Sequence, residues 1–118
     1  MLLFVYGTLK RGGANHARLE GQQFKGRATT QPLYRMHLIA DYPGLVAAPG
    51  GGSNVKGELW EVDPEKLREL DAFEGSHEGL FRRGPVRLLP PHDGTPAEAY
   101  FYGRPIGAAV DLGTDFCV

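Results

Sequence analysis

Glycine and proline cut this chain into short pieces, and that limits what it can fold into. Seventeen glycines and nine prolines are many for 118 residues. They are spread along the chain rather than gathered, except at Pro49-Gly50-Gly51-Gly52-Ser53. Punctuation of this kind reads as many short strands joined by tight turns. The length is that of one domain, so residues 1–118 are read as a single domain. A chain this long buries roughly two-thirds of its unfolded surface, and the 42% hydrophobic content supports one core without staples.

Residues 2–6 form an apolar run ended by Gly7, the pattern of a buried first strand. Residues 8–13 read as a polar loop with glycines. Asn15 is placed to cap a short helix over residues 16–20, with Gly21 as its stop. Strands are expected at 24–30 and 33–39, around Gln31-Pro32. Tyr42-Pro43-Gly44 reads as a turn before a strand at 45–48. Residues 54–62 alternate, with both faces partly covered. The clearest helix start follows: Asp63 as N-cap, Pro64 in the first helical position and Glu65 in the first turn. This helix runs to about Glu74, and Gly75 stops it. Residues 80–89 read as a strand interrupted at Gly84-Pro85, 90–96 as a turn-rich connection, 97–102 as a last strand, and the rest as a tail. Six or so strands and one strong helix predict an α+β fold, a small mixed β barrel with one or two flanking helices.

The net charge of -1 gives no electrostatic reason to expect nucleic acid or an anionic membrane as partner. The apolar opening, residues 1–5, lacks a basic flank and is too short for a signal peptide or a membrane span. One cysteine, Cys117, cannot form an internal disulfide, which points to a reducing compartment, by default the cytoplasm.

Two places offer chemistry. On a helix of about 100° per residue counted from Leu67, Leu70 falls near 300°, Phe73 near 240° and Glu74 near 340°. Glu74 therefore points into the apolar stripe, while Glu65, Arg68, Glu69 and Ala72 lie opposite. Burial and the negative end of the helix dipole both raise a carboxyl pKa, the condition for a general acid/base near neutral pH. Helix geometry alone leaves two alternatives: Glu74 frays outward into water, or Asp71, near 40° on the same count, is the functional acid. The second place is Val5-Tyr6-Gly7-Thr8-Leu9-Lys10-Arg11-Gly12-Gly13, a strand running into a loop with glycines, a hydroxyl and two cations. Successive amides in such a turn can cradle an anion, and Gly7 lets a ligand approach the backbone. The alternative is a tight connection with exposed Lys10 and Arg11. The loop lacks the spacing of a phosphate P-loop or a dinucleotide fingerprint. His16, His37, His77 and His92 are dispersed without metal-ligand spacing, so no metal is expected. Ser53 and Ser76 lack a nucleophile setting, and nothing beside Cys117 would lower its pKa. Tyr100 and Tyr102 share one face of the last strand and either line a pocket or fill the barrel.

These segments together resemble the γ-glutamyl cyclotransferase-like family, and within it the γ-glutamylamine cyclotransferases and their bacterial relatives. The resemblance is carried by Phe4-Val5-Tyr6-Gly7-Thr8-Leu9-Lys10-Arg11-Gly12 with Asn15-His16, by Val55-Lys56-Gly57-Glu58-Leu59-Trp60-Glu61-Val62, and by Leu70-Asp71-Ala72-Phe73-Glu74-Gly75. Phe81-Arg82-Arg83 and Ala99-Tyr100-Phe101-Tyr102 extend it. It implies a small β barrel with flanking helices. It also implies Glu74 as catalytic acid/base, and Tyr6, Gly7, Thr8 and Leu9 as a loop that holds a γ-glutamyl group through backbone amides. The implied substrate is a small γ-glutamyl compound, converted without metal or organic cofactor into 5-oxoproline and a free amine. Relatives often carry tyrosine where this chain has Phe81, which bears on the exact substrate. A reading of another class is a non-catalytic barrel that binds a small metabolite or a protein partner. The sequence leaves the leaving amine and the oligomeric state open.

Overall fold

The structure is a computed structural model and describes residues 1–75 and 80–116. Ser76, His77 and Cys117 lie outside the described residues. Seven strands appear: β1 (Leu2–Val5), β2 (Gln23–Thr29), β3 (Tyr34–Leu38), β4 (Pro43–Ala47), β5 (Lys56–Glu61), β6 (Phe81–Pro85) and β7 (Glu98–Tyr102). A short 3-10 helix, His16–Leu19, follows β1, and α1 (Pro64–Phe73) lies between β5 and β6. Among the described residues no helix is long and apolar enough to cross a membrane.

The strands make one curled mixed sheet, ordered β2-β5-β1-β7-β4-β3, with β6 paired to β7. β7 organises it. One edge of β7 pairs antiparallel with β6 from Phe81↔Tyr102 to Pro85↔Glu98. The other edge is shared by two parallel neighbours: β1 pairs at Leu3↔Glu98 and β4 at Leu45↔Phe101. β1 and β4 therefore part from each other along β7. The gap is bridged by a side chain. The Tyr6 hydroxyl donates to the Tyr100 carbonyl at 2.6 Å and accepts the Leu45 amide at 3.1 Å. Past β6 the chain turns back to β2, where Thr30 bridges Leu88 and the Leu89 amide donates to the Thr29 carbonyl at 2.8 Å. That seam closes the sheet into the small barrel-like form expected.

β1 shows why the strands read as apolar runs. Phe4 and Tyr6 face the barrel interior with Met36, Leu45 and Leu59. Leu3 and Val5 face the other way, onto Leu67 and Leu70 of α1. Fully burying side chains such as Leu67 and Leu70 contributes roughly 1.5–3 kcal/mol each, which holds the helix on the sheet. Asp63 caps α1 as expected, its carboxylate accepting the Lys66 amide at 2.7 Å.

Three expectations are corrected. Pro43 and Gly44 belong to β4 rather than to a turn. A side chain on Gly44 would meet Ile39 and Tyr102 at under 3 Å, so this glycine is there for close packing. Gly84-Pro85 does not interrupt β6 but ends it. The tail is not loose: the Leu38 amide donates to Val110, the Leu112 amide to Met36 and the Lys56 amide to Thr114, all backbone carbonyls. Residues 110–114 therefore run along the outer edge of β3 and return to β5.

Candidate active site

Where β1 and β4 diverge, a cavity of about 300 Å³ opens. One wall is the β1 end and the loop behind it, with Tyr6, Gly7, Thr8 and Leu9. Tyr42 of the β3–β4 turn and Pro43 at the start of β4 face it, Leu80, Phe81 and Tyr100 form the side, and Phe73 and Glu74 come from the end of α1. The strand-to-loop motif and the helix end, 65 positions apart in the case of Leu9 and Glu74, thus share one cavity.

The loop is fixed by backbone bonds and by two charged anchors. Lys10 donates its amide to the Gly7 carbonyl at 3.1 Å, Gly13 to Lys10 at 2.8 Å and Asn15 to Thr8 at 3.0 Å. The Asn15 side chain does not cap the 3-10 helix. It donates to the Thr8 hydroxyl at 2.9 Å and so closes the loop on itself. Glu58, buried on β5, accepts the Arg11 amide and Nε, each at 3.0 Å, and the Trp60 indole at 3.2 Å. Burial alone would raise its pKa, but these bonds outweigh burial and lower it, so Glu58 is a fixed anion beneath the loop. Lys10 is not exposed: its side chain is buried, with Nζ donating to Asp115 at 2.9 Å and to the Phe116 carbonyl at 2.7 Å. Arg11 is exposed and lies 3.8 Å over the Phe24 ring. Among the described residues no protein acceptor takes the amides of Thr8 or Leu9. Unpartnered amides beside a cavity suit an anionic or carbonyl oxygen. Gly7 is needed for close approach, since a Cβ there would lie 2.7 Å from Pro43 Cγ.

Glu74 is the C-cap of α1, and Gly75 beyond it adopts φ 73°, the left-handed region that ends helices. The Glu74 carboxyl does not fray outward. It is partly buried in the cavity wall, and burial pushes its pKa up to about 7 against the opposing pull of Arg18. Arg18 itself stacks 3.6 Å from the Phe73 ring. A carboxyl that half-titrates near neutrality can both take and return a proton.

Asp71 is brought to a different environment. Arg83 grips it with Nε at 2.9 Å and Nη2 at 3.0 Å, and the Tyr100 hydroxyl donates to it at 2.6 Å. The Arg83 bond chiefly holds its pKa below the ordinary range, offsetting burial. Asp71 is a paired anion and is not among the residues lining the cavity. Tyr6 contributes its position, because both capacities of its hydroxyl are used between β4 and β7. Phe81 packs between Tyr42 and Tyr102, ring centroids 5.9 and 5.5 Å away, so an apolar edge faces the cavity. Sequence reasoning missed Tyr42, Pro43 and Leu80 as lining and Glu58 as the loop anchor. The last had one local signal, a carboxylate inside an otherwise buried strand.

The model of the γ-glutamyl cyclotransferase, AIG2-like family matches residues 3–113. The human γ-glutamylaminecyclotransferase is 38% identical over 102 residues, covering 80% of this chain and 66% of that protein. A Methanocaldococcus jannaschii relative is 35% identical over 115 residues, 94% of this chain and 92% of its own. This chain spans about half to two-thirds of the length of the γ-glutamylaminecyclotransferases it matches. The crystal structure of a mouse AIG2-like protein, 35% identical, superposes with a TM-score of 0.67 over 87% of this chain and 76% of that one. With its strand-to-loop motif and its helix-end glutamate on one cavity, this chain belongs to the γ-glutamyl cyclotransferase, AIG2-like family.

Proposed function

We propose that the protein is a γ-glutamyl cyclotransferase acting on small γ-glutamyl amines, with Glu74 as its acid/base and the Tyr6-Gly7-Thr8-Leu9 loop as its binding element. The observation that carries this reading is the placement of Glu74. A carboxyl with a pKa of about 7 shares a cavity with amides free to bind an oxygen. The substrate's α-amine nitrogen attacks its own γ-carbonyl carbon and closes a five-membered lactam. Glu74 takes the proton that the amine loses. The Thr8 and Leu9 amides hold the substrate carboxylate or the oxyanion that develops. As the bond from the carbonyl carbon to the leaving nitrogen breaks, Glu74 delivers its proton there, and 5-oxoproline and a free amine depart. Ring closure within one molecule exploits effective molarities of roughly 100,000 M or more, so the enzyme need only hold the amine in attack geometry and move one proton.

The test is turnover of a panel of γ-glutamyl amines, γ-glutamyl amino acids and glutathione in 18O-labelled water, with products analysed by mass. Unlabelled 5-oxoproline and free amine are expected. Labelled glutamate as the first product would mean hydrolysis and overturn the reading. Binding without turnover of any panel member would favour the non-catalytic barrel.

A further inference from the structure

Resting on that reading of Glu74, we infer that Asp71, Arg83 and Tyr100 are positioning residues that clamp the last turn of α1 and thereby aim Glu74 into the cavity. Asp71 precedes Glu74 by three positions, so the two are neighbours across one turn of the helix. Whatever fixes Asp71 fixes the rotation of the turn that ends in Glu74. Among its contacts with described residues, two come from the Arg83 fork on β6 and one from the Tyr100 hydroxyl on β7. Arg83 is itself held by Glu98 on β7 through Nη1. A two-toothed guanidinium–carboxylate pair sets direction as well as distance, which a point charge would not do.

The clamp stands at a helix end that is otherwise held, among the described residues, mainly by Arg18 stacked on Phe73. Leu67 and Leu70 anchor the middle of α1, but Phe73, beyond them, is exposed at 36%. The dipole at this end disfavours a carboxylate. No basic residue stands in the last turn to offset it. Left to itself, the turn would gain by unwinding and letting Glu74 reach water. Among the described residues, the groups that face Glu74 from the packed elements are Arg18 of the 3-10 helix, Tyr6 at the end of β1 and Tyr100 of β7. Among these, Tyr100 is also a member of the clamp.

The experiment compares wild-type protein with Tyr100→Phe and Asp71→Asn, measuring kcat and KM from pH 4 to 9 at a temperature where circular dichroism shows all three folded. Tyr100→Phe removes one bond and leaves every charge in place, so it separates positioning from electrostatics. Expected are a fall in kcat on the order of 10- to 100-fold with KM changed less. The acidic limb of the pH profile should also move down by about one pH unit or more as Glu74 becomes hydrated. If both folded variants keep the wild-type kcat and midpoint and lose only thermal stability, the clamp is merely structural and the inference falls. A shift in Asp71→Asn without one in Tyr100→Phe would assign the effect to charge and overturn it equally. Should Glu74→Gln remain active, the reading of Glu74 itself is what fails, which keeps the two failures apart.

Discussion

The two halves of the cavity are built by different means. The loop after β1 is shaped by its own backbone, through bonds from Lys10, Gly13 and Asn15 back to Gly7, Lys10 and Thr8, with a buried carboxylate, Glu58, holding the Arg11 amide from below. The end of α1 is shaped by side chains that reach across to other strands, Asp71 to Arg83 and Tyr100. A backbone cradle presents amides that any residue possesses, so it constrains shape and says little about side-chain identity. A helix end presents one particular carboxyl, so under the proposed reading its role rests on that residue and on those proposed to aim it. Substitution should therefore act differently on the two halves: all-or-none at the acid, graded at the loop.

The harshest break in that contrast is Glu74→Gln. It keeps shape and removes the titrating group, so turnover should drop by about 100- to 10,000-fold, read by lactam release. The same variant has a stability signature. The folded pKa is raised from 4.5 to about 7, so wild-type protein loses stability as pH climbs through that window and stays lowered above it. Glu74→Gln should thus be the more stable protein at pH 8, by on the order of 3 kcal/mol, and about equal at pH 4, as measured by urea unfolding. Equal stability at both pH values would mean that Glu74 is solvated.

Next in size is Gly7→Val. The added carbons would press on Pro43 at the start of β4, which lines the same cavity. Overpacking of this kind typically costs about 1–3 kcal/mol. KM should rise more than 10-fold by order of magnitude, with the fold surviving. Normal substrate binding in this variant would remove the cradle from the site. The mildest test is Glu58→Gln, which retains an acceptor for the Arg11 amide but not its charge. KM should rise by roughly 3- to 10-fold with kcat nearly kept, as a loss of about 1 kcal/mol in one charge-assisted bond implies. A kcat effect as large as that of Glu74→Gln would erase the distinction between the halves.

Much of this was legible in the sequence because it is local. The α1 cap at Asp63, the stop at Gly75 and the angle of Glu74 on the helix follow from residues within a few positions of one another. The alternatives left open there turn on partners far along the chain. Asp71 read as a rival acid because its partner Arg83 lies 12 positions later in the chain. Lys10 read as exposed because its partner Asp115 lies 105 positions away. Asn15 read as a cap because N-cap chemistry is a neighbour rule, whereas its bond to the Thr8 hydroxyl is a matter of loop closure. Gly44 read as a turn residue, since nothing nearby says that Ile39 and Tyr102 would crowd a side chain there.

The segment laid along β3 has a consequence for how the protein behaves in concentrated solution. Residues 110–112 occupy hydrogen-bonding positions on the outer edge of that strand, at Met36 and Leu38. An uncovered strand edge is a template on which another chain can add itself, and the neighbouring side chains here, Met36 and Leu45, are apolar. By covering it from within the same chain, this segment acts as a guard against aggregation. Shortening it would expose a sticky seam along β3.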